Sequence, residues 1–579
     1  MDIYNDSNSV KELFFLITNM ISEVLDAKDK YTEGHSERVR LFSVEIGREL
    51  NLSEKELAIL SLAAKLHDIG KLKIDERILK KEGGLTVEER NEIERHTIYS
   101  QELLGRHPVL SPVLEAIRSH HERLSGDGYP DHLKGDMIPL LSRIIAVADV
   151  FDAMTSKRVY RKRAYTDEET LKYLKKQAGR KFDADIVGIF LDLYNHGIID
   201  YCRGIYRSKI DLYESLDLFR RSLDKYNRPD IDRVYLMMGV TLNKVWKPME
   251  AIYFLNQGLE VNGEYKYRIR NEIAMSNYYM GNIDELYKNF LYFNENNAHI
   301  PIAEKVRAYN GILIYYWKKR ELDRALIYGE ELEKMYREFE QEDYSSKDDI
   351  FIYIERKRKD FDDMIYIKSK SYNIMAEIMF DLNKLSDSIK YYNYSLSIKA
   401  ITGDSLGRAM SLRGIARVYY EMRNYRKAEA VSVNCLIANH ENKDKYGIYL
   451  TSLLLSDIYR EMKNYDKALF FLIKAKELRE SAKKKDDYYK YYISEWLYQI
   501  ENGRGEHVID DINNKLAEKG YSDKIRGMIY YCMGKAKERK SKTEAISAYK
   551  RALKIFTTLN IIPLIEKVKE RAAILGKQV

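Results

Sequence analysis

Apolar residues recur at helical spacing along most of this chain. Val10, Leu13, Phe14, Ile17, Met20, Ile21, Val24 and Leu25 share one broad face, which predicts an amphipathic helix. Val39, Phe42, Ile46 and Leu50 predict a second helix through RVRLFSVEIGREL. From Leu60 the stretch LSLAAKLHDIGK is apolar on nearly every face until it reaches His67 and Asp68, as befits a helix buried in a core. Ser53 with Glu56, and Thr86 with Glu89, are capping-box pairs that predict helix starts. The second of these opens VEERNEIERHTIYSQELL and puts His96 in mid-helix, while Gly70 is the expected stop of the buried helix. A helix from Pro112 is expected to end in Ser119-His120-His121-Glu122. A loop, SGDGYP, spans Ser125 to Pro130, and Ile138 to Met154 forms another apolar helix carrying Asp149 and Asp152. No stretch in this region alternates with period two, so the expected fold is all-α.

The later part of the chain repeats itself. YYEMRNYRKA from Tyr419 to Ala428 returns as YREMKNYDKA from Tyr459 to Ala468. Small residues flank both copies, Ala416, Ala428 and Cys435 in one and Ser456, Ala468 and Ala475 in the next, and weaker copies centre on Ser215, Ala251, Ala325, Ser388 and Ala545, with a fainter one near Leu286. This pattern resembles the tetratricopeptide repeat, two antiparallel helices per unit with small residues where helices touch. The resemblance implies an α-solenoid whose groove takes a peptide or a partner protein. The spacing stretches between Ala325 and Ser388, across a charged run that the pattern leaves without boundaries.

Length and composition add bounds. At 579 residues the chain exceeds one hydrophobic core. The excess of 97 Lys and Arg over 90 Asp and Glu is small and the signs are intermixed, which argues against a nucleic-acid polymer as partner. Runs such as Arg356 to Lys359 read as solvated faces. Cys202, Cys435 and Cys532 have no metal or disulfide spacing. No apolar run reaches about eighteen residues and the N-terminus lacks a basic leader pattern, so a cytoplasmic protein with no membrane partner is expected. Eight of eleven histidines fall within the first 196 residues, which places the chemistry there. The expected division is 1–200 and 205–579, with the boundary near 197–208.

His35, His67, Asp68, His96, His120, His121 and Asp149 are polar residues set in or beside apolar helices. Imidazole with carboxylate suits iron, manganese, zinc or nickel, whereas calcium and magnesium want oxygen. Seven donors exceed the needs of one ion, and adjacent residues on a helix diverge by about 100°, so His67-Asp68 and His120-His121 could each serve two ions with Asp68 as the bridge. His107, His132 and His196 read as surface or capping residues.

The blocks GHSERV at 34–39, AAKLHDIGK at 63–71, His96, HHERLSGDGYP at 120–130, RIIAVADVFDAMTS at 143–156 and Phe182-Asp183 resemble the HD-GYP domain, the cyclic di-GMP phosphodiesterase branch of the HD superfamily. The resemblance implies that the seven residues are ligands of two divalent transition-metal ions, iron or manganese first. It implies that Asp68 and Lys71 are catalytic, with Lys71 at the scissile phosphate, and that Tyr129, Arg158 and Arg161 contact a cyclic dinucleotide cut to linear pGpG and then possibly GMP. The chain departs from the family at Ser125 and Asp127 in the glycine loop and at Val159. Tyr31 stands where members with a third metal carry Glu. Two other readings stand beside this one: an HD phosphohydrolase for another cyclic dinucleotide or nucleotide, and an inactive adaptor that binds ligand or partner.

Overall fold

A computed structural model describes residues 34–81, 83–105, 110–156, 163–208, 210–295, 300–341, 350–401, 404–482 and 485–576. The expected helix at Val10 to Leu25, Tyr31, His107, Arg158, Val159, Arg161 and the side chains of Arg356 to Lys359 lie outside the described residues. The described fold is all-α, with an isolated bridge between Ala178 and Phe182 and no strand among the described residues. None of the helices described is long and apolar enough to cross a membrane. The chain divides into two compact units, Met1–Glu285 with Glu340–Phe361, and Leu286–Phe339 with Asp362–Val579.

In the first unit the helices that matter for the site are α1 (His35–Glu49), α2 (Glu54–Leu66), α3 (Val87–Glu94), α4 (His96–Leu104), α5 (Ser111–Arg118), α6 (Leu140–Thr155), α7 (Asp167–Gln177), α8 (Ala184–Asn195) and α9 (Ile198–Arg207). Both predicted capping boxes form, Ser53 with Glu56 and Thr86 with Glu89. Val39, Phe42 and Ile46 of α1, Leu60, Ala63 and Ala64 of α2, and Ile144, Ile145 and Phe151 of α6 are fully or almost fully buried in one core. Removing the larger of these side chains from water supplies about 1.5–3 kcal/mol each, and it fixes the ends of these helices against one another.

Two expectations need correcting here. His96 is not in mid-helix: α3 ends at Glu94, Arg95 caps it, and α4 starts at His96, with Thr97 Oγ1 donating to the Glu94 carbonyl across the break. Gly70 is not a left-handed helix stop either. It sits in a 3-10 turn, Ile69–Lys73, and is glycine because a Cβ there would fall 1.8 Å from the His96 carbonyl oxygen. The close approach is what brings the His67-Asp68 corner beside the start of α4.

The repeats follow as helical hairpins. Ser215, Ala251, Ala325, Ser388, Ala428, Ala468 and Ala545 all have no exposed surface, because each sits where two helices approach too closely for a larger side chain. Ser388 Oγ donates to the Ala376 carbonyl at 2.7 Å and Ser456 Oγ to that of Ala468 at 2.9 Å. The long gap before Ser388 is filled by one helix of 32 residues, Ile350–Asp381. In the second unit the hairpin turns pass through left-handed residues, Arg320, Asn383, Arg423 and Lys463.

Candidate metal centre

Six elements of the first unit converge on one buried cluster. His35 is the first residue of α1, His67 caps the end of α2, and Asp68 opens the 3-10 turn. His96 opens α4, His120 and His121 follow the end of α5, and Asp149 lies within α6. Asp68, His96, His120 and His121 each offer a ligand atom within 4.8 Å of the others, and so, as a second group, do His35, His67 and Asp149. His67 and Asp68 therefore fall in different groups. His120 and His121 fall in the same one, since they lie beyond the helix, where the 100° divergence no longer applies. Asp68 also faces the second group, with Oδ2 3.4 Å from His67 Nε2 and 3.9 Å from His35 Nε2, while Oδ1 is 3.5 Å from His96 Nε2. His35 Nε2 is 3.2 Å from Asp149 Oδ1.

The orientation of the imidazoles is set from behind. His67, His96 and His120 place Nδ1 2.8, 2.7 and 2.6 Å from the carbonyls of Ala64, Ile93 and Ile117, each three residues back. With Nδ1–H so donated, the lone pair is on Nε2 and points into the cluster. All three Nε2 atoms are buried without a hydrogen-bond partner. Three orphaned acceptors are costly in a folded protein, and three aimed at one place alongside two carboxylates form a donor set that fits divalent transition metals.

The electrostatics agree. Burial, only partly offset by Asp68, pushes His96 down to about 4, and burial with its histidine neighbours pushes His120 down to about 3. Burial likewise holds His121 well below the usual histidine value. Neutral imidazole is the form that binds metal. Burial opposes the Asp68 charge, but Lys71, whose Nζ lies 2.6 Å from Oδ2, together with His67 and His96, holds its pKa well below the carboxylate range. Asp149 is held well below it by His35, His67 and His121 against the same burial. His35 is the exception: burial disfavours its charge, yet hydrogen bonds to Asp149 and Asp152 outweigh that and raise its pKa.

Lys71 thus stands beside the cluster, partly exposed. The Tyr129 ring packs 4.8 Å from that of His121 and 6.3 Å from that of His96. Ser125 and Asp127 are exposed, and the Ser125 hydroxyl donates to the Asp127 carboxylate, so Asp127 is occupied in its own loop. Gly126 adopts φ +82°, whereas Gly128 is glycine to admit the Glu122 backbone, 2.5 Å from where a Cβ would lie. His132 is exposed and His196 caps α8.

Some functional residues had no assigned role in the sequence. Asp152 is almost fully buried, 2.7 Å from His35 Nδ1 and bonded by Arg38 through Nε at 2.6 Å and Nη2 at 2.9 Å. Glu122 accepts from the backbone of Asp131 at 2.7 Å and Leu133 at 3.1 Å, which ties down the segment after Pro130. Ser100 Oγ accepts from the Gly70 amide at 3.0 Å. The one signal for Asp152 was its place on α6, three residues after Asp149 and hence on the same face.

Comparison with known proteins finds relatives for this part of the chain. Residues 19–186 match the HD domain family. The cyclic di-GMP phosphodiesterase response regulator RpfG of Xanthomonas campestris is 41% identical over 187 residues, 32% of this chain and 49% of that protein. A cyclic di-GMP phosphodiesterase of Thermotoga maritima is 41% identical over 179 residues, 31% of this chain and 48% of that protein. The 3'3'-cGAMP-specific phosphodiesterase 2 of Vibrio cholerae is 36% identical over 190 residues, 32% of this chain and 35% of that protein. The chain spans half or less of the length of these curated relatives.

Proposed function

We propose that the chain is a metal-dependent phosphodiesterase that hydrolyses cyclic di-GMP to linear pGpG and onward in part to GMP. The observation that carries this reading is the set of three buried, unpartnered Nε2 atoms facing Asp68 and Asp149, in a domain similar to named cyclic dinucleotide phosphodiesterases. His35, His67 and Asp149 would hold one ion and His96, His120 and His121 the other, with Asp68 between them. Two such ions, iron or manganese, supply Lewis acidity and a water whose pKa is lowered toward neutrality. Lys71 adds a positive charge beside Asp68, where phosphoryl oxygens gain negative charge in the transition state. Tyr129 borders the His121 side and would contact the dinucleotide, as would Arg158 and Arg161, since guanidinium groups suit phosphate oxygens.

Full-length protein purified anaerobically, assayed for metal and for cyclic di-GMP hydrolysis beside Asp68→Ala, tests this. Turnover with about two ions per chain, abolished in the variant, is the expected result. Bound metal without turnover of any cyclic dinucleotide would overturn the enzyme in favour of an adaptor. A second reading, 3'3'-cGAMP as the preferred substrate, is favoured by the named specificity of one relative. Competition between the two dinucleotides decides it through the ratio of kcat/KM values.

The proposed division of labour gives residues 1–200 the chemistry and 205–579 the binding of a peptide or partner protein that regulates it. Helix α9, Ile198–Arg207, spans that division.

A further inference from the structure

We infer that Tyr206, on α9, is a positioning residue for the metal ligand His35, and that α9 is the joint through which the repeats act on the metal centre. This rests on the metal-dependent reading above and adds to it a route of regulation. Tyr206 lies beyond residues 19–186, the span that matches the HD domain family, and α9 packs directly against the first repeat helix, Leu212–Lys225.

The contacts run in two lines from one ring. In the first, the Tyr206 ring lies under the Arg38 guanidinium, 4.9 Å from its centroid. Arg38 donates twice to Asp152, and Asp152 in turn meets His35 Nδ1 at 2.7 Å. Asp152 therefore fixes which nitrogen of His35 carries its proton and how the ring is turned toward Asp149, the role that carboxylates behind metal-binding histidines play. Arg38, held flat by the tyrosine face, keeps that carboxylate in place.

In the second line, the same ring lies against the backbone from which His35 springs. A Cβ at Gly34 would fall 1.9 Å from Tyr206 Cζ and 2.0 Å from its hydroxyl oxygen. Gly34 caps the N-terminus of α1 in the left-handed region, φ +70°. Glycine there satisfies both the backbone angle and the room the tyrosine takes. Tyr206 is 8% exposed, and its ring lies against both the start of α1 and Arg38. A displacement of α9 by the repeats thus reaches His35 at its backbone and through its carboxylate.

The test is Mn²⁺ affinity of the metal-stripped full chain, measured by the free Mn²⁺ signal in electron paramagnetic resonance. Tyr206→Leu should weaken binding about tenfold or more, within the ~10–100-fold range for residues behind metal ligands. Tyr206→Phe, which keeps the ring, should bind as the natural chain does. Asp152→Asn should weaken binding similarly, and the double variant Tyr206→Leu/Asp152→Asn should be no weaker than the weaker single variant, since both act on one ligand. Arg38→Gln, which leaves Tyr206 in place, serves the same comparison if Tyr206→Leu does not fold. Unchanged Mn²⁺ affinity in Tyr206→Leu, or strictly additive losses in the double variant, would overturn the inference. Failure of the natural chain to bind Mn²⁺ at all would instead remove the metal reading on which it rests.

Discussion

The metal cluster and the repeats both bury polar and charged side chains, and they settle them in opposite ways. In the cluster, three histidine Nε2 atoms have no hydrogen-bond partner and point at one another's neighbourhood. In the repeats, buried and half-buried charges answer each other across helices. Arg460, its side chain 2% exposed, donates to Glu501 at 2.6 Å and lies 3.1 Å from Glu461. Lys535 reaches Glu501 at 2.7 Å, Arg417 reaches Glu377 at 2.6 Å, and Arg571 reaches Glu538 at 2.7 Å. A site reserved for a ligand leaves several lone pairs unspent at one place, whereas the scaffold pairs each charged group and leaves only single atoms of it, such as Arg460 Nε, Arg417 Nε and Glu501 Oε2, without a partner. The same kind of substitution should therefore damage activity in one region and stability in the other.

The largest effect is expected from Asp149→Ala. It removes the carboxylate shared by His35 and His67, and with it the ion they would hold; since a metal supplies several kcal/mol of transition-state stabilisation and each 1.36 kcal/mol is tenfold, turnover should fall ~10³-fold or more. Thermal unfolding of the metal-stripped variant should fall only by the share of the His35–Asp149 contact, since His35 keeps Asp152 at its other nitrogen. A steep loss of stability with activity retained would erase the contrast.

Arg460→Met should do the reverse. It removes the cation that faces Asp457, Glu461 and Glu501 and leaves Lys535 alone to answer Glu501, so the loss should lie toward the lower end of the about 3–5 kcal/mol that breaking a buried pair from one side costs. The readout is the denaturant midpoint, with kcat unchanged wherever the first unit stays folded. A midpoint equal to the natural chain's would show that the charge ladder holds nothing together.

The two regions should also part in pH. His96 and His120 titrate at about 4 and about 3 in the fold because burial disfavours their charge, against about 6.5 unfolded. Between those values the unfolded chain binds more protons, so stability of the metal-free first unit rises with pH up to about 6.5 and falls on acidification. His121 works in the same direction, and His35, raised by Asp149 and Asp152, works against it. In the repeats, burial lowers Lys399 to about 8, so its penalty is present below that pH and is relieved as pH climbs toward about 10.4. Acid should loosen the first unit, and mild alkali should tighten the second. Denaturant midpoints at pH 5, 7 and 9, read by probes in each unit, check both signs.

Much of this contrast was legible in the sequence, because it rests on local patterns. Helical periodicity, two capping boxes, and the buried small residues at Ser215, Ala251, Ser388 and Ala545 all follow from spacing. So did the seven polar residues of the cluster, each standing out against an apolar helix. What stayed hidden depends on approach across sequence. Asp152 meets His35 from 117 positions away, and Gly70 reads as a helix stop until the His96 carbonyl is seen above it. The break that makes His96 start a helix leaves no Gly or Pro behind. One further repeat feature lies in the sequence: Asp381, Glu421, Glu461 and Glu501 recur every forty residues, each at or just past the end of a helix, where a carboxylate is unfavourable unless a cation answers it.

The smallest expected effect is the sharpest test of whether the cluster is reserved for metal. In His120→Leu the variant loses the Nδ1 bond to Ile117, worth about 1 kcal/mol, but also removes a buried unpartnered Nε2 whose burial costs about 1–3 kcal/mol. The side chains are similar enough in volume to repack. The metal-stripped variant should thus be as stable as the natural chain or more stable by about 1 kcal/mol. With Mn²⁺ present the order should invert, because an ion that binds only the folded state stabilises it by RT ln(1 + [L]/Kd), and the variant forfeits a ligand. Paired melts with and without Mn²⁺ give the sign directly. If the variant is clearly less stable even without metal, His120 is an ordinary core histidine with a partner supplied by water, and the cluster holds its histidines for packing as the repeats hold their charges.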